Sequence, residues 1–470
     1  MAETWLENKT YDEIALGDSA HIVRRLTQRD IELFAVVSGD TNPAYIDEIY
    51  AKDSRYHGLI AHGLLGGALI SAVLGTKLPG PGTVYLEQEL NFMLPVRPED
   101  TIAVGVTAIS KDDDQKIVVF DCVGINQDGK EVIKGTARVI APTEKIRRAV
   151  IELPEVEVLH HNRLRLLIEQ AKSLPPLRTA VVHPCDDVSL IGAVNAADEG
   201  LIIPVLVGPE SKIRAAAESA QVSLKDYEIV DVQHSHAAAI QAVSMARDGK
   251  VGALMKGSLH TDELMSATLH RELGLRTESR MSHVFVMDVP TYKWPLLITD
   301  AALNIAPDLL TKRDICQSAI YLAHDLGLAK PKVALLAATE TISIQMQATL
   351  DAAALCKMAD RGQIKGAILD GPLAFDNAIS AEATRIKHIT SAVAGEADIL
   401  MVPNIEAGNM LAKQLDYLAA AESAGIVLGA RVPIILTSRA DYPHARRASA
   451  ALAVLSAAGT KARAAAAGKA

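Results

Sequence analysis

Residues 252–257 read GALMKG: an apolar run from Ala253 to Met255 that ends on a lysine and a glycine. The run is too short for a helical stripe and lacks the polar alternation of a half-exposed strand. It therefore reads as a strand buried on both faces. The same unit recurs at 179–184 (TAVVHP), 204–208 (PVLVG), 228–232 (EIVDV), 332–338 (KVALLAA), 366–371 (GAILDG), 398–404 (DILMVPN), 425–430 (GIVLGA) and 433–438 (PIILTS). Gly, Pro or polar residues follow each run, and then a segment of helical period. This alternation predicts βαβ units on a buried parallel sheet. Open sheets of that kind place ligands outside the carboxyl ends of their strands, where Lys256-Gly257 would lie.

The chain before residue 142 has a different rhythm. Thr27 with Asp30 three residues on has the form of an N-cap, and Ile31, Phe34, Ala35 and Val37 give a helical stripe. A Gly- and Ala-rich helix is expected from Leu64 to about Leu74. Four β-rich runs then follow at 83–96, 101–111, 116–126 and 131–142, separated by turn chemistry such as Asn126-Gln127-Asp128-Gly129. Consecutive strands with short turns predict an antiparallel sheet covered by one helix, an α+β unit. Residues 143–162 are charged and poor in turn signals and read as a linker. The expected division is 10–142, linker 143–162, an α/β unit over 163–457, and a low-complexity tail, 458–470, that frays from a helix end.

Composition excludes several classes of function. The 470 residues are 49% hydrophobic and carry a formal charge of -10, against general nucleic-acid or membrane-surface binding. Aromatic residues are only 4%, too few for a stacking platform. The four cysteines, Cys122, Cys185, Cys316 and Cys356, are scattered, as in a reduced cytoplasmic protein. The first residues have neither a basic start nor an apolar stretch, so no signal peptide is read there and a cytoplasmic location is expected. No HExxH, Walker A or clustered-carboxylate pattern occurs, and neither a metal nor a resident cofactor is expected.

Two sets of motifs carry the chemistry. Ser38-Gly39-Asp40-Thr41-Asn42-Pro43, followed by Ala61-His62-Gly63 opening an apolar helix, resembles the MaoC-like (R)-specific enoyl-CoA hydratases. The resemblance covers about residues 10–142 and implies a hot-dog fold, an antiparallel sheet wrapped around a helix. In that family the motif Asp and a His five residues later activate the water that adds to an enoyl-CoA. Asp40, Asn42 and Pro43 match, but the His position is Tyr45, and a phenol is a poor general base at neutral pH. The frame of a site is present with one working group exchanged. Asp40 alone also reads as an Asx-turn residue.

From about Arg163 to Ala457 the chain resembles the phosphate acetyl/butyryltransferases, through six blocks in order: 253–265, 274–290, 296–309, 366–380, 397–410 and 432–442. The family's fold is related to that of isocitrate and isopropylmalate dehydrogenases, with two α/β subdomains flanking a cleft. The resemblance implies reversible transfer of an acyl group, acetyl foremost, between coenzyme A and inorganic phosphate. Butyryl transfer, or a non-catalytic module that senses coenzyme A and assembles the protein, are the alternatives. Ser438-Arg439 follows a strand, and Arg439 offers a planar fork to phosphate or to the developing oxyanion, with Ser438 adding a hydroxyl. Asp441 is the candidate base for the thiol. Lys256, Gly257, Ser258 and Thr261 are candidates for phosphate or coenzyme A contact. Arg276, Arg280, Ser282 and His283 read as a polar cluster or as a solvated loop beside a core histidine. Asp300 and Asn304, one helical turn apart, would order the cleft or cap a helix. Asp370 and Asn404 follow buried strands and are read as site residues or as turns. Both families imply a homodimer or larger assembly.

Overall fold

In the first unit the strand Thr101–Asp112 turns every second residue inward, burying Ile102, Val104, Val106 and Ala108. That period of two makes a sheet with one covered face. The computed structural model describes residues 5–151, 153, 154, 156, 158, 163–224, 227–436 and 443–468. The chain divides into two compact units, residues 1–158 and 159–470. The strands of the first are β1 (Trp5–Glu7), β2 (Ser19–Arg25), β3 (Val84–Phe92), β4 (Thr101–Asp112), β5 (Ile117–Ile125), β6 (Glu131–Ile140) and β7 (Arg147–Ala149). The main sheet is antiparallel in the order β2-β4-β5-β6-β3. Its inner face packs on the helix Gly63–Thr76 through Ile70, Val73 and Leu74, which are 0% exposed. This is the hot-dog arrangement.

The helix Gln28–Ser38 starts at a capping box in which Thr27 and Asp30 each accept from the other's backbone N–H. Three strands of this unit, β1, β2 and β7, escaped the sequence reading. β2 is mostly exposed and carries two arginines, so its alternation is weak. β7 lies inside the segment read as linker, yet it pairs with β1 across the length of the unit.

The second unit is built on β8 (Leu177–Val182), β9 (Ile202–Gly208), β10 (Glu228–Asp231), β11 (Ala253–Lys256), β12 (Ser282–Asp288), β13 (Leu296–Thr299), β14 (Lys332–Leu336), β15 (Ile368–Leu373), β16 (Ile399–Met401), β17 (Glu422–Leu428) and β18 (Ile434–Ile435). They form one sheet in the order β10-β9-β8-β11-β18-β17-β12-β13-β16-β14-β15. The expected parallel sheet is corrected here. β10 to β18 and β13 to β15 are two parallel blocks, but the pairs β18–β17, β17–β12 and β12–β13 are antiparallel. The blocks therefore run in opposite directions. β18 ends beside the Ile426 level of β17, and β13 ends opposite Val284 of β12, one strand further on. Carboxyl ends from both blocks thus meet in the middle of the sheet.

Helices cover both faces, with apolar clusters on either side. The helix Pro443–Ala467 runs through most of the expected tail, and Arg463 near its end pairs with Asp325 at 2.5 Å. That contact holds the segment read as frayed. No described helix is long and apolar enough to cross a membrane.

Candidate active site

Where the carboxyl ends of the two blocks meet, the second unit has a cavity of about 1090 Å³. Lys256 enters it from the end of β11, Leu436 from the end of β18, and His283 and Phe285 from β12. His260, Thr261 and Asp262 line it at the start of the helix Thr261–Leu269. The helix Ile405–Leu418 contributes Ile405, Glu406, Asn409, Met410 and Lys413, spaced along one face. A volume of this size is ample for a small-molecule substrate.

Asp300 and Asn304 are not on a helix. Asp300 is 2% exposed, and its Oδ1 accepts from the backbone N–H groups of His283, Ala302 and Leu303 at 3.2, 2.9 and 3.1 Å. Its Oδ2 accepts from the backbone and side-chain nitrogens of Asn304 at 3.1 and 2.5 Å. Asn304 in turn donates to the Met281 carbonyl at 2.9 Å. The pair orders an irregular loop whose Ala302 lines the cavity. Gly408 lets the helix Ile405–Leu418 pack on that loop, since a Cβ there would meet the Asp300 carbonyl oxygen at 2.7 Å. Asn404 caps the helix, accepting from the Ala407 N–H at 2.9 Å.

His283 is 1% exposed and its Nδ1 has no hydrogen-bond partner among the described residues. Burial pushes its pKa down to about 4, against the pull of Asp300, so the imidazole is neutral at pH 7. Its ring meets Phe285 edge-on at 4.4 Å. Ser282, on the opposite side of the strand, is buried away from the cavity lining. Arg276 and Arg280 are exposed and do not line the cavity, so the four-residue cluster does not form. Arg276 bridges Ala430 through its backbone, and the Arg280 N–H donates to Asp314 at 3.2 Å. Asp370 lies on β15, the edge strand at the far end of the sheet, and accepts from the Gly371 N–H at 2.8 Å.

Gly257 has a backbone reason: a Cβ there would stand 2.3 Å from the Val182 carbonyl oxygen. The Ser258 hydroxyl donates to the His183 carbonyl at 2.8 Å, tying the loop after β11 to the loop after β8. Ser438, Arg439 and Asp441 lie outside the described residues. Sequence reasoning did not single out His260, Asp262, Phe285, Met410 or Lys413. The available signal was the i, i+3, i+4 spacing of Glu406, Asn409, Met410 and Lys413 after a buried strand.

The first unit has its own cavity, about 510 Å³, lined mainly by apolar residues such as Leu69, Phe92, Met93 and Ile133. Tyr45, His62 and Gly63 line it, with Arg55 and Tyr56. The Tyr45 ring lies 3.8 Å from that of His62, which is 3% exposed. His62 Nε2 is 3.1 Å from the Asp40 carbonyl oxygen and 4.0 Å from its Oδ2. Burial, with the Asp40 charge adding to it, raises the Tyr45 pKa further. Asp40 also makes the Asx turn, accepting from the Asn42 N–H at 3.2 Å, and Asn42 accepts from Ala44 at 3.1 Å. The structure brings Asp40, Tyr45 and His62 together.

Residues 233–454 match the family model described as phosphate acetyl/butaryl transferase, and residues 18–141 match that of the MaoC like domain. The phosphate acetyltransferase of Rhizobium meliloti is 59% identical over 62% of this chain and 92% of its own length. The phosphate butyryltransferase of Clostridium beijerinckii is 41% identical over 63% of this chain and 98% of its own. A branched-chain phosphotransacylase structure from Enterococcus faecalis V583 superposes with a TM-score of 0.53 at 30% identity, covering 60% of this chain and 99% of that one. With so much of each relative spanned, the chain belongs to the phosphate acetyl/butyryltransferase family and carries a MaoC-like domain ahead of the transferase unit.

Proposed function

We propose that the second unit transfers an acyl group reversibly between coenzyme A and inorganic phosphate, with acetyl-CoA the leading substrate. The observation that carries this is the cavity at the end of β18. Leu436 lines it, and Ser438-Arg439 follow two residues later in the chain. A phosphate oxygen attacks the thioester carbonyl. Arg439 and Ser438 stabilise the tetrahedral oxyanion, and collapse breaks the C–S bond to give acyl phosphate and the thiolate. The thiolate takes a proton from Asp441; in the reverse direction Asp441 removes it from the thiol. Lys256, with Thr261 at a helix start, supplies positive potential to the phosphate groups. His283, neutral, offers a hydrogen bond rather than charge.

The apolar wall of Leu259, Phe285 and Met410 favours a second reading in which butyryl or a similar short chain is also accepted. The transferase unit is assigned the two-subdomain architecture of the isocitrate and isopropylmalate dehydrogenases. In support, two parallel blocks flank a central cavity. The first unit is assigned an acyl-CoA-binding role with weak hydratase activity, carried by a MaoC-like domain over about 10–142. We further assign a cytoplasmic homo-oligomer. The nine-residue strand β3, at the edge of its sheet with Val84, Tyr85, Leu86 and Phe92 exposed, supports self-association. Coenzyme A release from an acyl-CoA length series, with and without phosphate, tests the transferase. Absent release would leave only a coenzyme A-sensing module, and release independent of phosphate would be thioester hydrolysis and would overturn phosphate as the acyl acceptor.

A further inference from the structure

The second unit has another cavity, about 320 Å³, at the other end of β18. The hairpin between β17 and β18 forms one side of it, and the helices Leu309–Asp325 and Pro443–Ala467 form the other. Ser318 and Ser456 line it and are only 8% and 5% exposed. Neither hydroxyl has a hydrogen-bond partner among the described residues, so each is free to bond something inside the cavity. Arg431 and Lys461 stand exposed at its edge, and neither has an ion-pair partner among the described residues. The third cation, Arg463, is held by Asp325 at 2.5 and 3.1 Å and lies over the Tyr321 ring at 4.8 Å. Its charge and the carboxylate cancel. Two uncompensated positive charges therefore border a partly apolar cavity in a chain whose net charge is -10.

We propose that this cavity is a binding site for a small organic dianion, a dicarboxylate or a phosphate monoester, distinct from the transacylase cleft. Arg431 and Lys461 match two negative charges, and the two serines give hydroxyl contacts to the polar end of the ligand. Leu177, Leu428 and Val432 take its carbon skeleton. The size suits a metabolite and is far too small for a whole coenzyme A. The site also has a mechanical link to the cleft. Pro433 lines this cavity and Leu436 lines the other, with only the two residues of β18 between them. That separation is about 10 Å at the rise of an extended chain. A ligand that draws the hairpin toward the helices acts directly on the segment leading into Ser438-Arg439.

The test uses the full chain with succinate and glycerol 3-phosphate as the two probes and neutral succinamide as the control. Calorimetric titration should give saturable binding of one or both dianions and none of succinamide. The double variant Arg431→Glu/Lys461→Glu should lose that binding while its transacylation without probe stays within about twofold of the parent. Arg431→Ala alone should weaken binding, should the double charge reversal disturb folding. Which probe binds decides between carboxylate and phosphate. No binding of either, or binding unchanged in the double variant, would overturn the site. A saturating probe should change the phosphate KM or the kcat of the parent by at least twofold and leave the double variant untouched. Unaltered kinetics at saturation would overturn the link to the cleft.

Discussion

Asp300→Asn is the sharpest probe of how the transferase cleft is held. The amide keeps the shape of the carboxylate and one carbonyl oxygen, which can go on accepting from His283, Ala302 and Leu303. Its NH₂ group replaces Oδ2 and faces two donors, the backbone and side-chain nitrogens of Asn304. Two hydrogen bonds to an ionised acceptor are lost, at about 1.5–3 kcal/mol each, or about 3–6 kcal/mol before the loop relaxes. Relaxation lets Asn304 turn toward solvent, so the lower end, about 3 kcal/mol, is expected. The two tryptophans make the measurement clean, because Trp5 lies in the first unit and Trp294 in the second. In a Trp5→Phe background, urea unfolding followed by Trp294 fluorescence reports the transferase unit alone. The midpoint should fall, and coenzyme A release should fall with it, because Ala302 and His283 line the cavity. A midpoint within about 0.5 kcal/mol of the parent would refute the reasoning that this one carboxylate organises the loop.

Arg439→Ala should lower phosphate-dependent coenzyme A release about a hundredfold or more, with Arg439→Lys rescuing poorly because a point charge lacks the planar fork. Near-parental rates would remove Arg439 from the mechanism. Hydration of crotonyl-CoA by the parent should be slow, and Tyr45→His should raise it by about 100- to 10,000-fold, with Asp40→Asn abolishing the gain. Brisk hydration by the parent would show that His62, 3.8 Å from the Tyr45 ring, already carries the proton. Finally, His283 has a folded pKa of about 4 against an ordinary 6.5. The unfolded chain binds the extra proton between those values, so stability at this site is complete above pH 6.5 and is lost as pH falls toward 4. His283→Leu should flatten the pH dependence of the Trp294-monitored midpoint across that window; an unchanged slope would show that the histidine is not held neutral.

Much of the molecule was legible because it rests on local rules. The capping box of Thr27 and Asp30 closes within four residues, and the inward positions of β4 follow from the period of a strand. The short apolar runs followed by Gly, Pro or polar residues marked β8 to β11 and β14 to β18 as strands, although burial fails at the two edges of the sheet, where no residue of β10 and only the last two of β15 are buried. Tyr45 in place of histidine could likewise be seen by position alone. What a one-dimensional pattern lacks is direction and partnership. Ser282–Asp288 is apolar enough to be a strand, but nothing in its composition says that it runs antiparallel to β17 and β13 and turns the two blocks against each other. The spacing of Asp300 and Asn304 suits a helix equally well, and only the nearby N–H of His283 makes it a loop organised by a carboxylate. Gly257 reads as a phosphate cradle until the Val182 carbonyl is seen where its Cβ would be. β1 and β7 pair across the whole first unit, and Lys413 reaches the cavity because Gly408 lets its helix close on the loop. Contacts between residues far apart in the chain depend on how elements pack after they form, and local propensity holds no information about that.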